Sequence, residues 1–321
     1  MASDSGLVIR RLRPGDCEPL ALLLQEAFAE EFQGGATDPV AVRRQLRSAA
    51  WAQGAGVRQM LTLLGSHFAY FVAAHRGRII GSTAVSGSRL LVISSVAVHP
   101  GFRRLGVAAA LVERAQTFAL AAGREQVVLD VLAHNQPAVR LYEKLGYREY
   151  HRFRAYTLSA LALQAAAPVP RGTWLEPLTP ARVAAFSAVE RAALPRRYFE
   201  VAPTLRDRYL RPRSLQWLDR IAGGVHAYRR VLVRDSRVAG YLLATAMPGH
   251  GEARIDYPLV VPDATSALSA ALIDAVSFLQ GAGRYAVRLD LSEDRPDQHA
   301  AAESLGFQHR WSFIQMVRRG A

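Results

Sequence analysis

The sequence predicts an α/β (α+β) fold in two tandem copies, and three observations carry that expectation. Apolar, β-branched runs alternate with stretches of helical spacing. Landmarks recur at one interval: Gly123 and Gly283, Asp130 and Asp290, and Gly146 and Gly306 are each 160 residues apart (306 − 146). Residues 90–123 read as a strand, a basic glycine-containing turn and a helix. A chain of 321 residues exceeds one average domain, and a repeat of this length denotes a duplicated domain rather than a solenoid.

Residues 7–12 read as a first strand, and Pro14-Gly15-Asp16 as a turn whose aspartate can cap the next helix. That helix runs from Cys17 to about Phe32, with Leu20, Leu23, Leu24, Ala27 and Phe28 on one face and Gly34 and Gly35 at its end. Residues 38–64 form a further helical region, broken near Gly54 and Gly56. Ala69–Ala74 and Ile79–Val85 flank the short turn His75-Arg76-Gly77-Arg78, which predicts a hairpin. Leu90–Val98 is a strand stopped by Pro100-Gly101. Leu105, Ala108, Leu111, Val112, Ala115, Phe118 and Ala119 then share a helical face that Gly123 terminates. A strand at Gln126–Leu132, a helix capped by Asn135 with Ala138, Leu141, Tyr142 and Leu145 on one face, and a strand at Tyr147–Leu158 complete the first half.

The Pro- and Ala-rich stretch 159–172 reads as a linker, giving domains at 1–158 and 173–321. In the second half, Leu175-Glu-Pro-Leu-Thr-Pro echoes the opening strand and turn. Arg230–Ala246 echoes the hairpin, with Gly240 near the place of Gly81, and Ser266–Gln280 echoes the long helix. A shift of 160 sets Asp263 against Arg103, Ser266 against Gly106, Leu268 against Ala108, Ala302 against Tyr142 and Arg295 against Asn135. Gly281-Ala-Gly-Arg-Tyr-Ala286 matches a dinucleotide fingerprint in spacing, but it follows a helix and precedes a strand, the reverse of what that motif requires.

The turn after Val98 has a chemical meaning. A helix start leaves backbone N–H groups unpaired and carries partial positive charge. The small residues Gly106 and Ala108 let an anion approach the backbone, and Arg103 and Arg104 add forked donors suited to phosphate. A phosphate or diphosphate is the expected ligand; a helix start with two solvated arginines is the alternative. Neither the Walker loop nor the Rossmann spacing fits.

Val96-Ala-Val-His-Pro-Gly-Phe-Arg-Arg-Leu-Gly-Val-Ala108 resembles the acetyl-CoA signature of the GNAT superfamily of N-acetyltransferases, with Arg103, Gly106 and Ala108 at the signature positions. Asn135-Gln-Pro-Ala-Val-Arg-Leu-Tyr-Glu-Lys-Leu-Gly-Tyr147 resembles that superfamily's second segment, in the expected order. The resemblance implies two GNAT-type domains, each a mixed central sheet flanked by helices, with acetyl-CoA as co-substrate and no metal. It implies that Val96, Ala97 and Val98 pair with the pantetheine arm, the Val98 N–H facing the thioester oxygen. Arg103, Arg104, Leu105, Gly106, Val107 and Ala108 would hold the diphosphate. Tyr142 would be the general acid for the leaving thiolate, or a core tyrosine. Asn135 would touch the arm or cap its helix. Glu30 and Glu31, at the end of the first helix, are nominated as bases. Asp130, His67 and His134 are further candidates, and a water relay is an alternative. His99 is expected to be structural. The second copy, with an aspartate and a leucine at the corresponding turn, is expected to have lost the donor.

The expected activity is transfer of an acetyl group to a primary amine by direct attack, the amine belonging to a small molecule or a peptide. A non-catalytic acyl-CoA-binding module is the competing expectation. The net charge is +13, and every basic residue but Lys144 is arginine. With so many alanines, that skew suits a G/C-rich bacterial genome. No arginine run interleaves with aromatics as in single-strand binders, so nucleic acid is disfavoured. The single cysteine, Cys17, excludes a disulfide framework. No signal peptide or run of about 18 apolar residues is evident. A cytoplasmic protein is expected, with homodimerisation left open.

Overall fold

The computed structural model describes residues 6–29, 39–63, 65–159, 163, 169–202, 204–210, 225–246 and 252–320. Its chain falls into two compact units, Met1–Glu149 with Gln315–Ala321, and Tyr150–Ile314.

In the first unit, β1 (Leu7–Arg11), β2 (His67–His75), β3 (Arg78–Gly87) and β4 (Leu91–Val98) pair antiparallel in that order. β5 (Gln126–Leu132) joins β4 in parallel. The β2–β3 turn has Arg76 and Gly77 at φ 49° and 80°, the two left-handed residues that a tight hairpin needs. Helices α1 (Cys17–Ala27), α2 (Pro39–Ala52) and α3 (Ala55–Leu63) precede β2, with the α2–α3 break at Gly54. Leu20, Leu24, Val42 and Leu46 pack with Tyr70, Val72 and Ala74 of β2. The intervening Phe71 meets Phe118 of α4 (Val107–Ala121), ring centroids 6.2 Å apart. Alternate β2 residues face opposite sides, so α4 covers the face away from α1 and α2. Helix α5 (Gln136–Lys144) follows β5.

The second unit repeats the plan. β7 (Thr173–Pro177), β8 (His226–Arg234), β9 (Arg237–Ala246) and β10 (Glu252–Ile255) are antiparallel neighbours. β12 (Ala286–Ser292) pairs β10 in parallel, and the two residues of β11 (Leu259–Val260) pair β9. The β8–β9 turn again has two left-handed residues, Asp235 and Ser236. The hairpins carry matching irregularities, at Ala73/Ala74 and Leu232/Val233. Helices α6 (Phe186–Ala193), α7 (Leu268–Gly281) and α8 (Pro296–Ser304) flank the sheet, and Leu268, Leu272, Val276 and Leu279 of α7 are fully buried in its core.

One detail departs from the sequence reading. Asp16 does not cap α1; its carboxylate accepts from Arg10 Nη1 and Nη2 at 2.5 and 2.8 Å and from the Arg13 N–H at 2.8 Å. The compact units divide at 149/150 and 314/315. β6 (Arg148–Ser159) pairs β12 from Phe153↔Ser292 to Ser159↔Ala286. The end of β13 (Gln308–Arg319) returns to the first unit, where Gln315 Nε2 donates to Asp130 at 2.9 Å and Arg318 donates to Gln116. Most of 159–172 lies outside the described residues.

Candidate functional site

The site is built where β4 leaves its neighbour. The parallel register with β5 runs from Leu91↔Val127 to Ile93↔Leu129 and stops. Beyond it, Ser95 takes φ 52° and the β3 register slips between Ser82 and Ala84, a bulge that bends the strand. The Ser82 hydroxyl donates to the Ser95 carbonyl at 3.0 Å and holds the bulge. Ala97 and Val98 therefore continue along β3, and residues 96–98 have no β5 partner among the described residues.

After Val98 the chain makes one short helical turn, Pro100–Phe102. His99 organises it: its Nδ1 accepts from the Gly101 N–H at 3.1 Å, and its ring meets that of Phe102 at 5.8 Å. Arg103 Nε donates to the Val98 carbonyl at 3.2 Å and ties the turn to the strand. Arg104 and Gly106 both have positive φ, 65° and 79°. Arg103, Arg104, Leu105 and Gly106 are all exposed, while Val107 is buried. Gly106 is the N-cap of α4; no side chain caps it, and the first helical bond runs from the Ala110 N–H to the Gly106 carbonyl. A Cβ on Gly106 would meet nothing within 4 Å. The glycine is required by its left-handed backbone, and it faces open space. This is a cradle of uncapped N–H groups rimmed by two guanidinium groups, a fit for a diphosphate.

Gly81 sets the cradle's position. A Cβ there would stand 2.9 Å from the Ala97 carbonyl oxygen, 3.0 Å from Leu111 and 3.3 Å from Val107. Only glycine lets the start of α4 lie this close to β3 and β4. Sequence reading gave Gly81 only as a repeat landmark and missed its role, because a lone strand glycine does not reveal which helix approaches it.

The remaining candidates are distributed. Asn135 caps α5, accepting from the Ala138 N–H at 3.2 Å. Tyr142 is buried on α5 with its ring 5.9 Å from that of Tyr147, and burial, then Tyr147, raises its phenol above the ordinary value. No hydrogen-bond partner stands by its hydroxyl among the described residues. Glu30 and Glu31 lie outside the described residues. His67 pairs Gly87, which pairs Leu91, the end of β4 far from the turn. Its Nε2 lies 3.4 Å from Arg124 Nη2. Asp130 accepts from Gln315. The acid beside the turn is one the sequence reading overlooked, Glu26, 3.9 Å from His99 Nε2.

The second unit's turn is closed. Its short helix runs Pro262–Ala267 straight into α7 with no left-handed residue. Pro100 and Pro262 both open these helices, so the offset there is 162 (262 − 100), and α7 begins 161 residues after α4 (268 − 107). The turn is shorter, and Asp263 corresponds to Gly101 rather than to Arg103. Arg295 fills the place beside it. Its guanidinium donates to the Val260 carbonyl at 2.7 Å, the Ala193 carbonyl at 3.3 Å, Thr265 Oγ1 at 3.0 Å and Asp297 at 2.7 and 3.0 Å.

Residues 25–147 match the acetyltransferase (GNAT) family. An N-alpha-acetyltransferase of Sulfurisphaera tokodaii is 37% identical over 65 residues, 20% of this chain and 39% of that protein. The catalytic subunit of the N-terminal acetyltransferase B complex of Saccharomyces cerevisiae is 40% identical over 70 residues, 21% of this chain and 36% of that protein. The chain thus spans less than two fifths of these curated relatives. Over its whole length it has the fold of a GCN5-related N-acetyltransferase from Sphaerobacter thermophilus, with TM-score 0.68, 17% identity and 100% and 98% of the two chains covered. A tandem GNAT protein from the clavulanic acid biosynthesis pathway is similar over 98% of this chain and 99% of its own, with TM-score 0.62 and 20% identity. The tandem GNAT fold expected from the sequence is therefore the fold found. Among the described residues, no helix is long and apolar enough to cross a membrane, and no cluster of three metal-ligating side chains occurs.

Proposed function

We propose that this chain transfers the acetyl group of acetyl-CoA to a primary amine, using the first unit alone. The observation that carries the reading is the open, uncapped start of α4 behind two exposed arginines and a left-handed glycine, set at the end of a strand parted from its neighbour. Arg103, Arg104 and the N–H groups of residues 105–108 bind the diphosphate, and Val96–Val98 lie along the pantetheine arm.

The uncharged amine attacks the thioester carbon. The C–N bond forms as the carbonyl electrons move to oxygen, where the Val98 N–H stabilises the oxyanion. Collapse breaks the C–S bond, and the departing sulfur takes its proton from Tyr142. A raised phenol pKa keeps that proton in place at neutral pH. Glu30 and Glu31 are the nominated acceptors of the amine proton, directly or through water. The acceptor is a small amine or a peptide N-terminus or lysine, in line with the N-alpha-acetyltransferase among the relatives.

The test is an acceptor screen with thiol detection of released CoA, beside calorimetry with acetyl-CoA. One donor site per chain and amine-dependent release are expected. Binding with no turnover over a broad amine panel would leave an acyl-CoA-binding module instead.

A further inference from the structure

The first unit holds a second cleft, of about 560 Å³, lined by Arg11, Arg58, His67, Phe68, Phe118 and Ala122 together with small and polar residues of α3 and α4. It lies at the C-terminal end of α4, whereas the diphosphate cradle lies at the N-terminal end. The eleven residue steps from Val107 to Phe118 put about 16 Å of helix between them. The cleft therefore belongs to neither the donor's phosphates nor the β4–β5 opening.

Its chemistry is uniform. Phe68, Phe118 and three alanines supply apolar walls. Arg11 lies over the rings of Phe71 and Phe118, at 5.6 and 5.4 Å, and Arg114 lies over Phe71 at 5.0 Å. Arg124 approaches His67 from outside. No aspartate or glutamate lines the cleft among the described residues. The polar contact recorded for Arg11 within the cleft's surroundings is a neutral one, Nη1 donating to Gln53 Oε1 at 3.2 Å. Burial, then the charges of Arg58 and Arg114, lowers the Arg11 guanidinium from its ordinary value. Like charges gathered on an apolar floor without a counter-ion are unfavourable unless an anion arrives.

The geometry points to a binding site for a small organic anion, an oxyanion held by Arg11 and Arg58 with its apolar body against Phe68 and Phe118. Such a cleft repels the amines that the transfer reaction consumes, so its ligand is not the acetyl acceptor.

The full-length chain would be titrated calorimetrically with phenyl phosphate and with benzoate, and with benzyl alcohol and inorganic phosphate as controls, all in excess CoA. One or both aromatic anions should bind once per chain, at least about tenfold tighter than either control. Arg58 is exposed on α3, so Arg58→Glu should fold normally and weaken the anion about tenfold or more, leaving acetyl-CoA affinity unchanged. Ala121→Trp, which fills the cleft, should abolish binding. The inference is overturned if neither anion binds below about 10 mM, if benzyl alcohol binds equally well, if CoA displaces the anion, or if Arg58→Glu binds like wild type. None of these results bears on acetyl transfer, which is read separately by released CoA.

Discussion

The turns after β4 and β11 begin alike, with a valine or histidine, a proline and a short helix, and then diverge. In the first unit the chain takes two left-handed residues before α4 and leaves the helix start bare. In the second it enters α7 directly, Leu268 is fully buried, and Arg295 spends its donors on two carbonyls, a threonine and Asp297. One frame thus presents a bare helix start at an open turn, and the other enters its helix through a short turn beside the buried Arg295. The difference teaches that one frame accommodates two turns: a bare helix start in the first unit, and in the second a direct entry into the helix beside a buried arginine bonded to neighbouring carbonyls.

The sharpest way to break this comparison is the pair Arg103→Glu and Gly106→Glu. Charge reversal at the cradle, with a side chain forced to φ 79°, should reduce acetyl-CoA affinity by about a hundredfold or more. Calorimetry reads the affinity, and an unchanged circular dichroism spectrum excludes unfolding. Wild-type affinity in the double variant would show the site to be misplaced.

Tyr142→Phe should lower kcat by about 10- to 100-fold with little change in acetyl-CoA affinity. Steady-state kinetics separate that outcome from a packing role, which would lower stability and leave kcat largely intact. Because the phenol is raised above its ordinary value, kcat should show no alkaline loss from this group below about pH 10.

Arg295→Asn places the first unit's residue in the second. Removing a buried guanidinium leaves Asp297 and two carbonyls without their partner and should cost about 3 kcal/mol of stability, measured by urea unfolding. Donor stoichiometry should remain one per chain, because Leu268 and the absent left-handed glycine still close the turn. A second site in this variant would show that the arginine alone separates the two units.

Gly81→Ala and Gly240→Ala form a matched pair. Each new Cβ meets a carbonyl oxygen at 2.9 Å, that of Ala97 or of Leu259, so each should destabilise by about 1–3 kcal/mol. Only Gly81→Ala should also weaken acetyl-CoA, since only there does the displaced strand border the cradle.

The smallest expected effect is on acid stability. Arg295 draws the Asp297 carboxyl down to about 2. A depressed folded-state value stabilises fully above the ordinary carboxylate range and is lost as pH falls through it toward 2. Wild type should therefore lose melting temperature over that window more steeply than Arg295→Asn.

Much of this was legible in the chain. The β2–β3 hairpin, the break at Gly54, β5 and α5 follow from apolar spacing and from Gly, Pro and Asn at element ends, all local preferences. Gly106 was legible because a glycine before a helix start restricts the backbone by itself. Asp16 was misread because the competing partner, the Arg10 guanidinium, stands across a strand end. Asp263 was set against Arg103 because a fixed offset cannot register a shortened turn.

What the sequence by itself determined is the repeated pattern of elements and the place of the basic turn between a strand and a helix, since both rest on preferences of residues close in the chain. Only the tertiary structure decided that β4 parts from β5 after Ile93, that Gly81 admits α4, that Arg295 reaches the Val260 and Ala193 carbonyls and that Arg11 of β1 and Arg58 of α3 line one cleft. Each of these depends on residues distant in sequence meeting in space, and residue order alone does not record that meeting.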